Sequence, residues 1–246
     1  MKRRLRAGET LVGGLLRMPG EFLVELAGVA GLDYVVIDCE HGPADLVALQ
    51  HHLTAAQAHG LPVLVRVGQD DPGLVLRVLD LGAAGIIVPH VDTAEDARRA
   101  VAAAHYPPLG ERGFATYSRA GRFGAASIPD HLRDTADRTL VVVMAETPEA
   151  CANAPAILAV DGVDAIMVGP ADLSVAMGLT GGAAEPAVQE ATARVRAAAE
   201  ESGTPMMTIV NSPPQAAAAP PGLIVYNLAH VLLATFRTLT ETRPTP

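Results

Sequence analysis

Short apolar runs rich in β-branched residues recur along the chain, and most are followed by a longer stretch with the apolar spacing of a helix. Leu11 to Leu16, Asp33 to Asp38, Leu61 to Arg66, Gly85 to Pro89, Leu140 to Thr147, the run opening at Val163, Met206 to Val210 and Leu223 to Tyr226 read as strands. Helices are predicted over Gly20 to Val29, Ala44 to His59, Pro72 to Leu81, Ile128 to Asp137, Pro186 to Glu201 and Leu228 to Leu239. A further helix reaches Ala104 from Thr93, a good N-cap with Glu95 and Asp96 in its first turn. Prolines 213, 214, 220 and 221 leave room for only a very short seventh helix. Strands apolar on both faces and alternating with helices imply a parallel sheet. Eight of them predict one α/β domain over residues 1–246, a (β/α)8 TIM barrel.

The alternation breaks between His105 and Gly124, a stretch too rich in Pro and Gly for a helix. A loop of this length inside a compact domain is usually functional, and it reads as a flap near the mouth of the barrel. Half of the 246 residues are apolar, enough for a substantial core. The formal charge of −9 gives no basic footprint for nucleic acid, and 3% aromatic residues leave few stacking platforms, so a small-molecule partner is expected. Cys39 and Cys151 have no metal-type spacing and cannot build a disulfide framework, which fits a reducing cytoplasm. No apolar run has the length of a membrane span, and the basic start is followed by Ala7-Gly8-Glu9-Thr10 rather than a signal core.

Two runs carry the candidate chemistry. Leu140 to Thr147 and Val163 to Asp172 each reach one carboxylate, Glu146 and Asp172, which should stand at matching ends of consecutive parallel strands. Neighbouring strands lie about 4.8 Å apart, so two such carboxylates can share a divalent cation. Asp38, Glu40 and His41 follow the second strand and Arg66 the third, and in a barrel all project into the C-terminal mouth. That set suits enolisation of a 2-oxo acid: Arg66 to grip the carboxylate bidentately, a divalent ion on carboxylate and keto oxygens, and His41 as base with its tautomer fixed by Asp38. Each residue also has an ordinary structural use. A carboxylate after a strand commonly caps the next helix, and an arginine there commonly forms a surface ion pair. His90, after Val88-Pro89, is recommended only by its position.

The ordered set Asp38-Cys39-Glu40-His41-Gly42-Pro43, Val65-Arg66, Leu79-Asp80-Leu81-Gly82-Ala83, Val88-Pro89, Tyr106-Pro107-Pro108-Leu109-Gly110-Glu111-Arg112-Gly113, Glu146-Thr147 and Gly169-Pro170-Ala171-Asp172-Leu173-Ser174 resembles the HpcH/HpaI family of class II, metal-dependent pyruvate aldolases. The resemblance implies a carbon–carbon lyase acting on a 2-oxo acid and an aldehyde or other carbonyl acceptor, with Mg²⁺, Mn²⁺ or Co²⁺ held by Glu146 and Asp172. It implies that Arg66 binds the pyruvate carboxylate and stabilises the enolate, that His41 and Asp38 form the acid/base pair, and that backbone around Gly169, Pro170 and Ala171 assists the substrate carboxylate. It also implies a homo-oligomer, trimer or hexamer, with the helix over 228–240 packed on a neighbour.

The chain departs from that pattern in places. Met144 stands where many family aldolases have Gln, and Tyr226-Asn227-Leu228-Ala229-His230 fits the usual eighth unit poorly. Arg119 or Arg122 in the flap would suit an acidic acceptor. The alternatives are a specialised synthase or decarboxylase acting on oxaloacetate-like substrates in siderophore or secondary metabolism, and a non-catalytic barrel that binds a 2-oxo acid.

Overall fold

The computed structural model describes residues 1–42 and 45–241. Its strands are β1 (Leu11–Leu16), β2 (Tyr34–Asp38), β3 (Val63–Arg66), β4 (Gly85–Val88), β5 (Leu140–Ala145), β6 (Ala165–Val168), β7 (Met206–Val210) and β8 (Gly222–Asn227). All pair in parallel with their sequence neighbours, and β8 returns to β1 to close the barrel. The expected TIM barrel is therefore the fold. Around it lie α1 (Lys2–Arg6), α2 (Glu21–Val29), α3 (Leu46–Ala58), α4 (Pro72–Asp80), α5 (Ala94–Ala104) and α6 (Ile128–Arg138), followed by α7 (Pro148–Ala152), α8 (Ala154–Leu158), α9 (Pro170–Ala176), α10 (Pro186–Ser202), α11 (Pro213–Ala218) and α12 (Leu228–Glu241).

Side chains alternate across each strand and build two apolar layers. Leu15, Tyr34, Val36, Leu64, Ile87, Val142, Met144, Met167 and Val225 fill the interior of the barrel. The intervening residues, among them Val35, Ile37, Val65, Ile86, Val141, Val143 and Ile166, meet Val75, Val78, Ala97, Val101 and Val195 of the surrounding helices. Strands buried on both sides leave no polar alternation in the sequence, so only their length and β-branched content mark them. Thr93 caps α5 in a full capping box with Asp96, an arrangement worth about 1 kcal/mol. Asp45 caps α3 by accepting from the amides of Val47 and Ala48. Pro43 and Ala44, the expected end of the preceding loop and start of that helix, lie outside the described residues.

Two expectations change. The basic start, read from sequence only as an unlikely signal, folds as α1, whose Lys2 is buried with its ammonium 2.8 Å from Asp164 and 2.7 Å from the carbonyl of Thr139. The segment 105–124 is not at the mouth. It joins the end of α5 to α6 and β5, and helix-to-strand connections of a barrel lie at the N-terminal ends of the strands. Its tip is tied to the flank there: Ala120 N–H donates to the Asp80 carbonyl at 3.0 Å, and Arg119 reaches Gln57 and Thr54 of α3. No helix among the described residues is long and apolar enough to cross a membrane.

Candidate active site

The alternation that fills the barrel also places the polar groups above it. Tyr34, Val36 and Asp38 share one face of β2, Leu64 and Arg66 one face of β3, and Val142, Met144 and Glu146 one face of the run through β5. Arg17 continues the inward series through Leu15 of β1. Asp38 and Arg66 are register partners on adjacent strands, so their side chains must meet.

Asp38 is wholly buried and is the hub of the cluster. It accepts from Arg66 Nε at 2.9 Å and from Arg66 Nη2, from Arg17 Nε at 2.9 Å, and from the amides of Glu40 and His41 at 3.1 Å each. Burial alone would push this carboxyl upward, but Arg66, the His41 amide and Arg17 outweigh it and hold it at about 2. Asp38 therefore remains ionised and fixes the guanidinium of Arg66.

Two sequence expectations meet a different geometry here. Asp38 binds the backbone of His41, not its ring; the half-exposed imidazole has Glu40 as its carboxylate neighbour, with Nε2 3.8 Å from Oε2. The Nε/Nη2 edge of Arg66, expected to grip a substrate carboxylate, is already occupied by Asp38, which leaves Nη1 facing Glu40 Oε2 at 3.3 Å. That Glu40 oxygen is buried without a hydrogen bond. A donor or cation reaching that oxygen would complete the polar accounting of the site.

Glu146 is 2% exposed and follows β5 directly. Its Oε2 accepts from the amide of His90 at 3.0 Å, with His90 Nδ1 3.5 Å away. Burial raises the Glu146 pKa; His90 opposes the shift, and the charges of Asp172 and Glu40 add to it. His90 delivers its amide from a left-handed conformation, φ 51, that is uncommon outside glycine. Sequence reasoning set His90 aside and overlooked Arg17. The first sits in a loop whose φ no pattern reveals, whereas the second was accessible by extending the alternation of β1 two residues.

Gly169 is the position where a side chain is excluded: a Cβ there would lie 2.6 Å from Glu146 Oε1. Its own N–H donates to the Ala145 carbonyl at 3.2 Å, and Pro170 has no N–H to offer. Of the stretch expected to assist a carboxylate, the amides of Ala171 and Asp172 remain, in the first turn of α9 where amides lack intrahelical partners. Asp172 is thus inside a helix and exposed, four residues past the end of β6, rather than at a strand terminus level with Glu146.

Among the described residues no group of three or more His, Cys, Asp or Glu side chains forms a complete metal cage. The donors nevertheless fit a hard divalent ion. Mg²⁺-type ions take one or two protein carboxylates and complete their shell with water and substrate oxygens. The Glu146 carboxylate, destabilised by burial and by the negative charge of Asp172 and Glu40, is a group whose environment a cation would relieve.

The profile of the HpcH/HpaI aldolase/citrate lyase family matches residues 19–219, which include every polar side chain just described except Arg17. The chain belongs to that family. A pyruvate aldolase of Rhizobium etli is 36% identical over 206 residues, covering 82% of this chain and 80% of its own. The 2-keto-3-deoxy-L-rhamnonate aldolase of Escherichia coli K12 is 37% identical over 207 residues, covering 82% and 77%. The crystal structure of an HpcH/HpaI aldolase from Desulfitobacterium hafniense superposes with a TM-score of 0.91 at 31% identity, over 100% of this chain and 97% of that one. This HpcH/HpaI member is an aldolase-type carbon–carbon lyase, and the synthase, decarboxylase and non-catalytic alternatives are not favoured beside relatives named as aldolases.

Proposed function

We propose that this chain makes or breaks a carbon–carbon bond through the enolate of pyruvate or a related 2-oxo acid, with an aldehyde or other carbonyl compound as the second reactant. The observation that carries the proposal is the pairing of a buried, cation-seeking Glu146 with an Arg66 guanidinium fixed by Asp38, whose Nη1 has only the looser contact with Glu40 at 3.3 Å. Glu146 and Asp172 would hold a divalent ion, Mg²⁺, Mn²⁺ or Co²⁺, which when bound supplies Lewis-acid stabilisation of enolate charge.

The remaining work falls to the chain's own groups. The amides of Ala171 and Asp172 receive the substrate carboxylate at the first turn of α9. Arg66 Nη1 faces the C2 oxygen as it gains negative charge, already oriented by Asp38, so no reorganisation is needed at the moment of reaction. The His41 imidazole, accessible at the mouth, takes a proton from C3 to form the enolate and returns it to the alkoxide oxygen once the new bond has formed. Arg17 completes the clamp on Asp38 and keeps Arg66 from swinging. The exposed apolar face of α12, with Leu233 and Phe236 at 47% and 59% exposure, supports a homo-oligomer, trimer or hexamer.

The test is exchange of the pyruvate methyl protons in D2O, followed by NMR with chelator-treated protein and with each ion restored. Exchange that needs the ion and disappears in Glu146→Gln is expected. No exchange with any of the three ions would overturn the pyruvate enolate.

A further inference from the structure

The eighth βα unit, where the sequence departs from the family pattern, places polar side chains on the β8 and β1 side of the mouth. Leu223 and Val225 of β8 face the interior, so Asn227 continues the inward series at the top of that strand, in register with Leu15 of β1. Arg17 follows on the same face of the β1 run, two residues beyond Leu15. The rim above them is fixed. His230 Nδ1 lies 2.9 Å from Asn211 Oδ1, which joins the ends of β7 and β8, and the His230 amide reaches Asn227 Oδ1 at 3.5 Å.

Both inward side chains keep donors to spare. Asn227 is 4% exposed, and its Nδ2 has no hydrogen-bond partner among the described residues. Arg17 gives its Nε to Asp38, whereas its two Nη groups have no partner among the described residues. The barrel beneath offers them nothing, because it is apolar: Met167, Met207 and Val225 line a void of about 20 Å³ beside Arg17, with room for at most one water. The charges point the same way. Asp38 is one carboxylate shared by two guanidiniums, and Glu40 stands against Arg66 rather than Arg17. A space that offers donors alone, one of them a guanidinium whose charge is only partly answered, suits an anion that accepts hydrogen bonds.

We infer that Arg17 and Asn227 select the second reactant, and that this reactant is an oxo acid, a carbonyl compound carrying a carboxylate of its own. The inference rests on the enolate reading above and deepens it. In that reading the carboxylate of the enolised acid is received at the first turn of α9, after β6, three strands around the ring from β1, so the two carboxylates occupy separate places. The Nη edge of Arg17 grips the second carboxylate bidentately, and Asn227 Nδ2 adds a further donor. The acceptor is thereby held with its carbonyl carbon toward C3 of the enolate. A bond forms between those two carbons while the carbonyl electron pair passes to its oxygen, which takes the proton from His41. The product is a 4-hydroxy-2-oxo dicarboxylic acid, and cleavage of such an acid follows the reverse course.

The test is condensation with pyruvate in the presence of Mn²⁺, using glyoxylate, 4-oxobutanoate and 5-oxopentanoate as acceptors, each compared with its methyl ester. The ester removes the charge and leaves the reacting carbonyl in place. For at least one pair the parent protein should favour the acid about tenfold or more in kcat/KM. In Arg17→Gln that ratio should fall to about one, and in Asn227→Ala it should fall about threefold. A residue that merely positioned Arg66 would slow acid and ester alike and leave the ratio unchanged. The inference is overturned if no acid is preferred to its ester, or if the preference survives undiminished in either variant. Exchange of the pyruvate methyl protons in D2O, which needs no acceptor, separates the two readings. Exchange without acid preference overturns this inference alone, whereas absence of exchange overturns the enolate and this inference with it.

Discussion

The Asp38 carboxylate illustrates how one buried group can set the chemistry of its neighbours. Its two oxygens satisfy two arginines and two amides, so substitution disturbs charge, hydrogen bonding and the aim of Arg66 together. Because its folded pKa is depressed from 3.8 to about 2, the stabilisation it contributes is present above the ordinary value and is lost as pH falls through about 2. The shift corresponds to about 2 kcal/mol. Urea unfolding measured across this range should show that loss in the parent protein, whereas Asp38→Asn should be less stable at neutral pH and lose less stability over the same range, the remaining loss coming from other depressed carboxyls such as Asp33 and Asp96. Glu146 behaves in the opposite sense. Its raised pKa means that the metal-free fold is favoured while the carboxyl is protonated and loses that advantage as pH rises through the folded value. Glu146→Gln should therefore raise the Tm of metal-free protein at neutral pH while abolishing ion affinity, measured by calorimetry with Mn²⁺. Arg66→Lys keeps the charge but loses the planar fork that Asp38 grips, and kcat/KM should fall about 10²-fold or more with the ion still bound.

At the level of elements, the junction of β6 and α9 has little freedom. Gly169 lies against Glu146, and an added methyl at 2.6 Å from Oε1 would force that carboxylate aside. Gly169→Ala should leave the barrel folded by circular dichroism yet weaken Mn²⁺ binding, a dissociation that separates placement of Glu146 from its chemistry. At the other end, α1 is held down by the buried Lys2–Asp164 pair, whose side chains are 4% and 7% exposed. Lys2→Met leaves Asp164 with only the exposed Arg6, 3.4 Å from Oδ1, as its cation and should cost about 1–3 kcal/mol in chemical denaturation.

For the whole molecule, the closed barrel leaves apolar surface uncovered. None of the residues of α12 is fully buried, and Phe22, Leu26 and Val29 form a second exposed stripe on α2 at 74%, 51% and 75%. Patches of this kind mark interfaces. Sedimentation should show an oligomer that Phe236→Asp dissociates; a monomeric parent protein would refute the assembly.

Much of this protein is written in local pattern. The eight strands, the Thr93 cap, the very short helix after Ser212 and the positions of Asp38, Arg66 and Glu146 at strand ends follow from apolar runs and turn chemistry, which act over a few residues. Asp172 reads from the sequence as a neighbour of Glu146, on which its charge acts, but not as part of a helix, because Gly-Pro reads as a break whether it ends a strand or opens α9. What tertiary structure alone decided is pairing and direction. Asp38 takes the edge of Arg66 that a substrate was expected to fill, since strand register makes the two neighbours. His90 reaches Glu146 through a backbone angle that no side-chain pattern encodes. The 105–124 segment lies at the opposite end from the mouth, because the end of the barrel on which a connection falls is set by the direction of the strands it joins, a property of the closed sheet rather than of the loop's own composition.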